Sequence, residues 1–227
     1  MKQKLTIASL IKEAKTFCEQ ESKFDNRDLF GITDGKAVGT FIEHKFQDYL
    51  SSKYEYIIGS SANGIDMPSE DLNTDIKVTS FKQPQSSCPF RNARQKIYGL
   101  GYNLLVFVYD KNDDPVRKTS RLNFVSCSFI DKNRTADYQV TRTIRQMLEN
   151  NANADDIIAY LTDRNLPADE ISMNQLADEI LHTKPKQGYL TISNALQWRL
   201  QYGRIVDLVE NVDGVIRIIS KITSVRL

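Results

Sequence analysis

The sequence has 227 residues, of which 41% are hydrophobic, and this is enough apolar material for one large domain or two small ones. Its formal net charge of +1 excludes the strong overall positive charge of many nucleic-acid-binding proteins. The cysteines Cys18, Cys88 and Cys127 lack a CxxC spacing, so the sequence predicts no disulfide framework or structural zinc site but free thiols in a reducing cytoplasm.

The sequence predicts neither a signal peptide nor a membrane span. Charged side chains interrupt the apolar positions of residues 1–17, and the longest apolar run, residues 104–109, is too short to cross a bilayer. We therefore expect a cytoplasmic protein with no membrane partner.

Helical and extended patterns alternate through the first half of the chain. The predicted order is two helices, three extended segments, a helix, two strands and a helix. These elements cover residues 5–21, 36–52, 54–58, 65–67, 74–81, 91–98, 104–109, 122–130 and 137–148. Residues 84–89 are predicted to be irregular, and residues 110–115 to form a turn.

The composition changes at residues 150–154, which predict a linker. Helical spacing follows over residues 155–164, 172–182 and 191–202. Two short β-rich runs, 204–208 and 215–219, flank Asp213-Gly214, a dipeptide typical of hairpin turns. Three helices followed by a hairpin are the order of a winged helix, so we expect a small α+β domain over residues 151–227.

Two acidic residues and a lysine form a pattern that indicates metal-dependent chemistry. Asp66 lies on a short extended segment, and Asp75 lies on the next strand, two residues before Lys77. Residues two apart on a strand point to the same face, so Asp75 and Lys77 project together. If the segment of Asp66 pairs beside them, both carboxylates can bind Mg²⁺, with the backbone carbonyl of Ile76 as a third oxygen ligand. Lys77 would orient the attacking water or stabilise charge that develops at a phosphate.

Asp66, then eight residues, then Asp75-Ile76-Lys77 resembles the motif of the PD-(D/E)xK nuclease superfamily. The resemblance implies that these three side chains hold the metal and position the nucleophile, with Mg²⁺ as cofactor and Mn²⁺ as its substitute. The family core is helix, three strands, helix, strand, and the predicted elements follow this order. The implied fold class is α/β, with a restriction-endonuclease-like mixed sheet flanked by helices over residues 1–150 and the winged-helix domain after it.

Further residues around the motif are similar to those of the family. In several members a glutamate on the preceding helix reaches the metal site, and Glu43 lies on such a helix here. A helix after the lysine strand often carries glutamine and tyrosine, as Gln95 and Tyr98 do here with a spacing one residue shorter. The chain also departs from the family in that Pro68 follows Asp66 rather than preceding it.

Two segments without acidic residues predict contacts with DNA, because their side chains donate to phosphates or base edges. The first is similar to segments of bacterial type II restriction endonucleases; a flexible surface loop followed by a helix is the alternative. Its candidate residues are Lys82, Gln83, Gln85, Ser86, Ser87, Arg91, Arg94 and Gln95. Those of the second segment are Lys184, Lys186, Gln197, Arg199 and Arg204.

The sequence therefore predicts a Mg²⁺-dependent type II restriction endonuclease that cuts double-stranded DNA at specific sites, leaves 5′-phosphates and acts as a monomer or homodimer. Dependence on base methylation, read in part by the C-terminal domain, is a second form of this hypothesis. Two alternatives stay open: a repair or structure-specific nuclease, and a winged-helix DNA-binding regulator without catalysis.

Overall fold

The structure is a computed structural model that describes residues 2–59, 64–89, 91–193 and 198–221. The helices are α1 Ile7–Glu21, α2 Gly35–Lys53, α3 Gln95–Tyr98, α4 Tyr138–Glu149, α5 Ala154–Asp163, α6 Glu170–His182 and α7 Gly203–Val206. The strands are β1 Gln3–Lys4, β2 Asp25–Asn26, β3 Tyr54–Glu55, β4 Thr74–Ser80, β5 Gln85–Cys88, β6 Asn103–Asp114, β7 Thr119–Ile130, β8 Thr191–Ile192, β9 Trp198–Gln201 and β10 Val215–Ser220. None of the described helices is long and apolar enough to span a bilayer.

A five-stranded mixed sheet organises the molecule. Its order is β10-β7-β6-β4, and β2 also pairs with β7. Strands β4 and β6 are parallel, whereas β6–β7 and β7–β10 are antiparallel. This arrangement, with helices packed beside the sheet, confirms the predicted α/β class and places β4, which carries Asp75 and Lys77, next to the central strand.

The central strand β6 is buried on both faces, which explains why residues 104–109 are uniformly apolar. On one face Leu105 and Phe107 pack in a core formed with α1 and α2. There the rings of Phe17 and Phe46 lie 4.9 Å apart, and those of Phe46 and Phe107 lie 5.0 Å apart. Tilted and edge-on aromatic pairs of this kind add about 0.5–1.5 kcal/mol each beyond the area they bury.

The opposite face of the sheet is covered by a second, three-stranded sheet of order β5-β9-β8. This pairing shows that the helix predicted over residues 191–202 is wrong, since the described parts of that range form β8 and β9. Leu190 and Ile192, and again Leu200 and Tyr202, are buried with a period of two, which suits strands. Short apolar segments are ambiguous between helix and strand, and here pairing with β5 decides in favour of the strand.

The hairpin predicted after residue 204 is also wrong. Residues Gly203–Val206 form the short helix α7, and β10 pairs with β7 of the large sheet instead of with its neighbour in sequence. The turn itself forms at Asp213-Gly214, where φ of Gly214 is +77° and an isolated bridge joins Val212 to Val215. In the described residues 191–193 and 198–221 the third helix and the wing of a winged helix are not formed, and β9 and β10 pair with strands that precede residue 150.

Two other segments differ from the sequence-based expectation. Residues 84–89 were expected to be irregular, but Gln85–Cys88 form β5 because they pair with β9. Residues 110–115 were expected to form a turn, but β6 continues as far as Asp114. Its polar end stays paired with β7, and the last pair is Asp114 with Thr119. Conversely, the helix expected over residues 91–98 is reduced to α3.

Helices α3 to α6 enclose a separate apolar core. Ile97, Ile144, Ile157, Leu161 and Ile180 are fully buried in it. α5 begins with a capping box in which Asn153 and Asp156 satisfy each other's backbone N–H groups. These contacts confirm the helices predicted over residues 155–164 and 172–182.

A carboxylate on α1 ties this helix to α2 and to β3. Glu13 accepts hydrogen bonds from Tyr49 at 2.6 Å, from Lys53 at 2.8 Å and from Tyr54 at 2.9 Å. Burial raises the pKa of Glu13, but the hydrogen bonds from Lys53, Tyr49 and Tyr54 outweigh it and hold this pKa below its ordinary value of 4.5. Ionised Glu13 therefore stabilises the fold.

Substitution Glu13→Gln is expected to reduce the free energy of unfolding by about 1 kcal/mol at pH 7, because charge-assisted hydrogen bonds are lost. Since the folded-state pKa is lowered, the stabilisation is complete above the ordinary pKa of 4.5 and is lost as the pH falls through the folded-state pKa. Urea unfolding at a series of pH values measures this difference. Glu19→Gln, at an exposed position of α1, is the control. A difference that does not change with pH would contradict the assignment.

Candidate active site

The segment of Asp66 is fixed against β4 by its backbone. Met67 and Thr74 exchange two hydrogen bonds of 3.0 Å, and the N–H of Gly59 donates to the carbonyl oxygen of Asp66 at 2.7 Å. A Cβ atom at position 59 would overlap the carbonyl oxygen of Ile65, so the chain needs glycine for this close approach. These contacts bring the segment beside the strand that carries Asp75.

The carboxylate of Asp66 lies at the open edge of β4. Its Oδ2 accepts a 2.7 Å hydrogen bond from the N–H of Ile76, and its Oδ1 accepts a 3.1 Å bond from Nε2 of Gln47 on α2. The N–H and C=O of one strand residue point to the same edge. The carbonyl of Ile76 therefore faces the same edge as Asp66.

Asp75 and Lys77 form an ion pair within the site. Lys77 Nζ lies 2.8 Å from Asp75 Oδ2, and only 5% of the Asp75 side chain and 21% of the Lys77 side chain are exposed. Burial raises the pKa of Asp75 to about 7, the charge of Lys77 opposes this shift, and a hydrogen bond with Asp66 adds to it. Burial acts to lower the pKa of Lys77, but Asp75, Asp66 and Glu43 outweigh it and raise this pKa.

Glu43 on α2 is the third acidic residue of the site. Burial raises its pKa, repulsion from Asp66 raises it further, and Lys77 opposes both. When all are ionised, Glu43, Asp66 and Asp75 set three negative charges against the one positive charge of Lys77. Carboxyl groups with raised pKa values, such as Asp75 and Glu43 beside Lys77, are typical of functional sites.

A cleft of about 610 Å³ opens beside these residues. One wall is the start of α2, including Glu43, and Lys77 lies in the floor. The other wall holds residues that the sequence predicts to bind DNA: Gln83, Gln85, Ser86 and Ser87. The structure thus joins two of the predicted catalytic residues to four of the predicted DNA-binding residues.

The oxygen atoms at this site fit a hard divalent cation. Within the described ranges, no three side chains of His, Cys, Asp or Glu are grouped so as to hold a metal ion. The carboxyl group of Asp66 is close enough to raise the pKa of Asp75, and the main-chain carbonyl of Ile76 faces the same edge as Asp66. Acidic side chains that outnumber the basic ones, with oxygen atoms only as ligands, are the donor chemistry that Mg²⁺ prefers.

The other predicted DNA-binding residues of the first segment lie outside the cleft. Lys82 and Arg91 are exposed. Gln95 is buried, accepting a hydrogen bond from the N–H of Arg91 and donating one to the carbonyl of Leu100. Arg94 forms an ion pair with Glu179 of α6 at 2.6 Å.

The second predicted segment is dispersed over the surface. Lys184 pairs with Glu149 at 2.8 Å, and Lys186 is exposed. The guanidinium group of Arg204 lies 3.6 Å from the ring centre of Tyr138. Arg199 is exposed on β9, opposite Ser87 of β5. Gln197 lies outside the described residues.

Two residues that position the site were not predicted from the sequence. Gln47 lies four residues after Glu43 and therefore on the same face of α2, a signal that helical spacing contains. Thr79 lies two residues after Lys77 on β4, and its hydroxyl group accepts from the N–H of Gln85 at 3.1 Å. No pattern in the sequence indicates the Thr79 contact, because it depends on the turn between β4 and β5.

Comparison with known proteins identifies the family. The family model described as "Type II restriction enzyme NspV" matches residues 4–217. A relative from Nostoc sp. (strain ATCC 29411 / PCC 7524), described as "Type II restriction enzyme NspV", is 55% identical over 214 residues, which cover 94% of this chain and 96% of the relative. No solved structure matches the chain. The chain therefore belongs to the NspV family of type II restriction enzymes.

Proposed function

We propose that this protein is a site-specific endonuclease that hydrolyses phosphodiester bonds of double-stranded DNA at a PD-(D/E)xK site. The observation that carries the proposal is the buried Asp75–Lys77 ion pair beside Asp66 at the open edge of β4. The relationship to a type II restriction enzyme supports it. Hydrolysis would leave 5′-phosphates, as the resemblance to this superfamily implies.

Asp66, Asp75 and the carbonyl of Ile76 would hold Mg²⁺. The bound ion would neutralise charge on the phosphate and lower the pKa of its bound water. The protein holds its ligands in place beforehand: Ile76 and Gln47 orient the Asp66 carboxylate, and Lys77 orients that of Asp75. Glu43 is close enough to influence this charge balance and is the third carboxylate of the proposed site.

Lys77 is the cationic group of the proposed mechanism. Asp75, Asp66 and Glu43 raise its pKa, so its ammonium group stays protonated at neutral pH. A protonated lysine in the floor of the cleft can donate to a phosphate oxygen and stabilise the negative charge that develops there. It can also orient the attacking water, since an ammonium group has three donors and one of them is held by Asp75.

DNA would bind along the cleft beside α2. Gln83, Gln85 and Ser87 line this cleft with Lys77, so a scissile phosphate placed at Lys77 would have amide and hydroxyl groups within reach. Polar groups of this kind contact phosphates and base edges in protein–DNA complexes. Contacts with DNA by Lys82, Arg91, Arg94, Gln95 and the residues of the second segment stay predictions. Dependence on methylation and action as a monomer or a homodimer also stay predictions.

Plasmid digestion tests the proposed function. With Mg²⁺ or Mn²⁺ the protein is expected to cut duplex DNA at discrete positions, whereas EDTA abolishes cleavage and Ca²⁺ supports binding without cleavage, because Ca²⁺ takes looser coordination. Sequencing the ends from methylated and unmethylated plasmid identifies the site and any dependence on methylation. Cutting only at flaps or mismatches would favour a repair nuclease; binding without any cleavage would favour a regulator; cutting in EDTA would overturn the metal mechanism.

Substitutions Asp75→Asn and Lys77→Met are expected to lower kcat by roughly 1,000-fold or more while DNA binding and Tm stay near wild type, because they keep side-chain volume and remove chemistry. Asp66→Asn should behave alike. Glu70→Gln and Asp71→Asn are matched controls, since Glu70 is exposed and Asp71 pairs with Lys4 at the surface. Near wild-type rates for Asp75→Asn or Lys77→Met would show that the site is assigned wrongly.

Gln47 is proposed as a positioning residue for Asp66. Substitution Gln47→Ala is expected to raise the Mg²⁺ concentration required for half-maximal activity by about 10-fold or more, since outer-sphere partners of metal ligands have effects of this size. A merely structural role would lower kcat or Tm without moving this concentration. Asp48→Asn, exposed at the next position of α2, is the control. An unchanged Mg²⁺ requirement in Gln47→Ala would refute the role.

A further inference from the structure

The strands β5 and β9 are neighbours in the three-stranded sheet β5-β9-β8 beside the cleft, and their paired residues are called the ribbon below. Their register places Gln85 opposite Gln201 and Ser87 opposite Arg199. These four residues alternate with Ser86, Cys88 and Leu200 and therefore share the outer face of the ribbon. Ser87, Arg199 and Gln201 are exposed, and Gln85 is half-buried. The outer face thus carries two cross-strand pairs of hydrogen-bonding side chains and no acidic group.

The inner face of the ribbon is occupied with packing. Ser86 and Tyr202 share a 2.6 Å hydrogen bond, Cys88 and Tyr102 share one of 3.3 Å, and Leu200 is fully buried. By contrast, no hydrogen bond joins the side chains of Gln85, Ser87, Arg199 or Gln201 to another described residue. The polar groups of the outer face are therefore available to an external partner.

The ribbon is placed where a bound duplex would meet it. Gln85 and Ser87 line the same cleft as Lys77 and Glu43. The hydroxyl of Thr79, two residues after Lys77, bonds to the N–H of Gln85 at 3.1 Å and to its carbonyl at 3.0 Å. The outer face is thereby held at a fixed position relative to Lys77. The DNA major groove admits a pair of β-strands, and β5 and β9 present such a pair with only the two residues of β8 beside them in the described part of the chain.

We propose that the outer face of the β5–β9 ribbon reads base edges in the major groove, with Arg199 and Gln201 as specificity-determining residues. The inference rests on the proposed function, since it requires duplex DNA in the cleft. Arginine pairs with the O6 and N7 atoms of guanine, and glutamine pairs with the N6 and N7 atoms of adenine. The surface therefore suits purines, with Gln85 and Ser87 as neighbouring donors and acceptors. Gln201 is placed on the outer face by its pairing with Gln85.

A contact with phosphate is the competing role for Arg199, and the two roles differ in what a substitution changes. A base-reading residue distinguishes between sequences, so its loss affects the cognate duplex more than a duplex altered at the pair that it reads. A phosphate-binding residue affects all duplexes alike and reduces the salt dependence of binding by about one unit of slope.

The test uses Arg199→Ala and Gln201→Ala in the full chain. The wild-type protein first defines the cognate site by sequencing of cleaved ends. The value of kcat/KM is then measured on the cognate duplex and on duplexes that each carry one changed base pair. Arg142→Ala and Gln146→Ala, at exposed positions of α4, are matched controls.

Each ribbon variant is expected to lose about 5- to 150-fold in kcat/KM on the cognate duplex and nothing on the duplex changed at the pair it reads, so discrimination disappears at that pair alone. The controls should keep wild-type discrimination. Equal losses on every duplex, or no loss, would overturn the proposal. Because the side chains are exposed, Tm should not change; if it does, Arg199→Lys and Gln201→Glu provide the same comparison. Failure of the wild-type protein to cleave would refute the proposed function instead, which separates the two.

Discussion

The hydrogen bond from the backbone N–H of Ile76 to the Asp66 carboxylate is the contact on which the arrangement of the site depends. It exists because β4 is an edge strand, paired with β6 on one side and, among the described residues, bridged by Met67 on the other. Edge strands present free main-chain groups, which proteins usually cover. Here a carboxylate covers the N–H of Ile76, and the adjacent carbonyl remains directed to the same edge. The strand therefore supplies backbone as well as side-chain groups to the site.

At this edge three acidic side chains, Glu43, Asp66 and Asp75, lie around the single basic side chain of Lys77. Asp75 has a pKa raised to about 7 by burial and by its neighbour Asp66, although Lys77 opposes this shift. Glu43 shows the same direction for similar reasons. Carboxyl groups of this kind ionise more readily when further positive charge is placed beside them, and on the proposed mechanism a divalent cation would supply that charge. Metal binding on the proposed mechanism should therefore release protons, since the ligands must be ionised.

The part of this site that the sequence predicts is the part held by local geometry. Asp75 and Lys77 share a face because they lie two apart on a strand, and Glu43 lies on a helix that the sequence also predicts. For the C-terminal strands, the sequence predicted the β-rich run 215–219 of β10 but not its partner β7, and it predicted a helix where β8 and β9 lie. Whether residues 198–201 and 215–220 extend depends on β5 and β7, which lie far away in sequence. Helical spacing of apolar residues was therefore overruled by pairing between distant segments, as tertiary contacts commonly overrule local preference.

The strand β9 connects candidate DNA-binding residues to the site through hydrogen bonds. A winged helix on a linker would move independently of the site, whereas β9 is hydrogen-bonded to β5, and β5 is held by Thr79 on the strand that carries Lys77. Strand β10 adds a second connection through β7. Residues near the C-terminal end of the chain are thus hydrogen-bonded into the same framework as Asp75 and Lys77. Such a frame holds groups within the small tolerances that catalysis demands. On the proposed function, a mismatched base pair at β9 would displace the phosphate at Lys77, and recognition would be linked to cleavage through position.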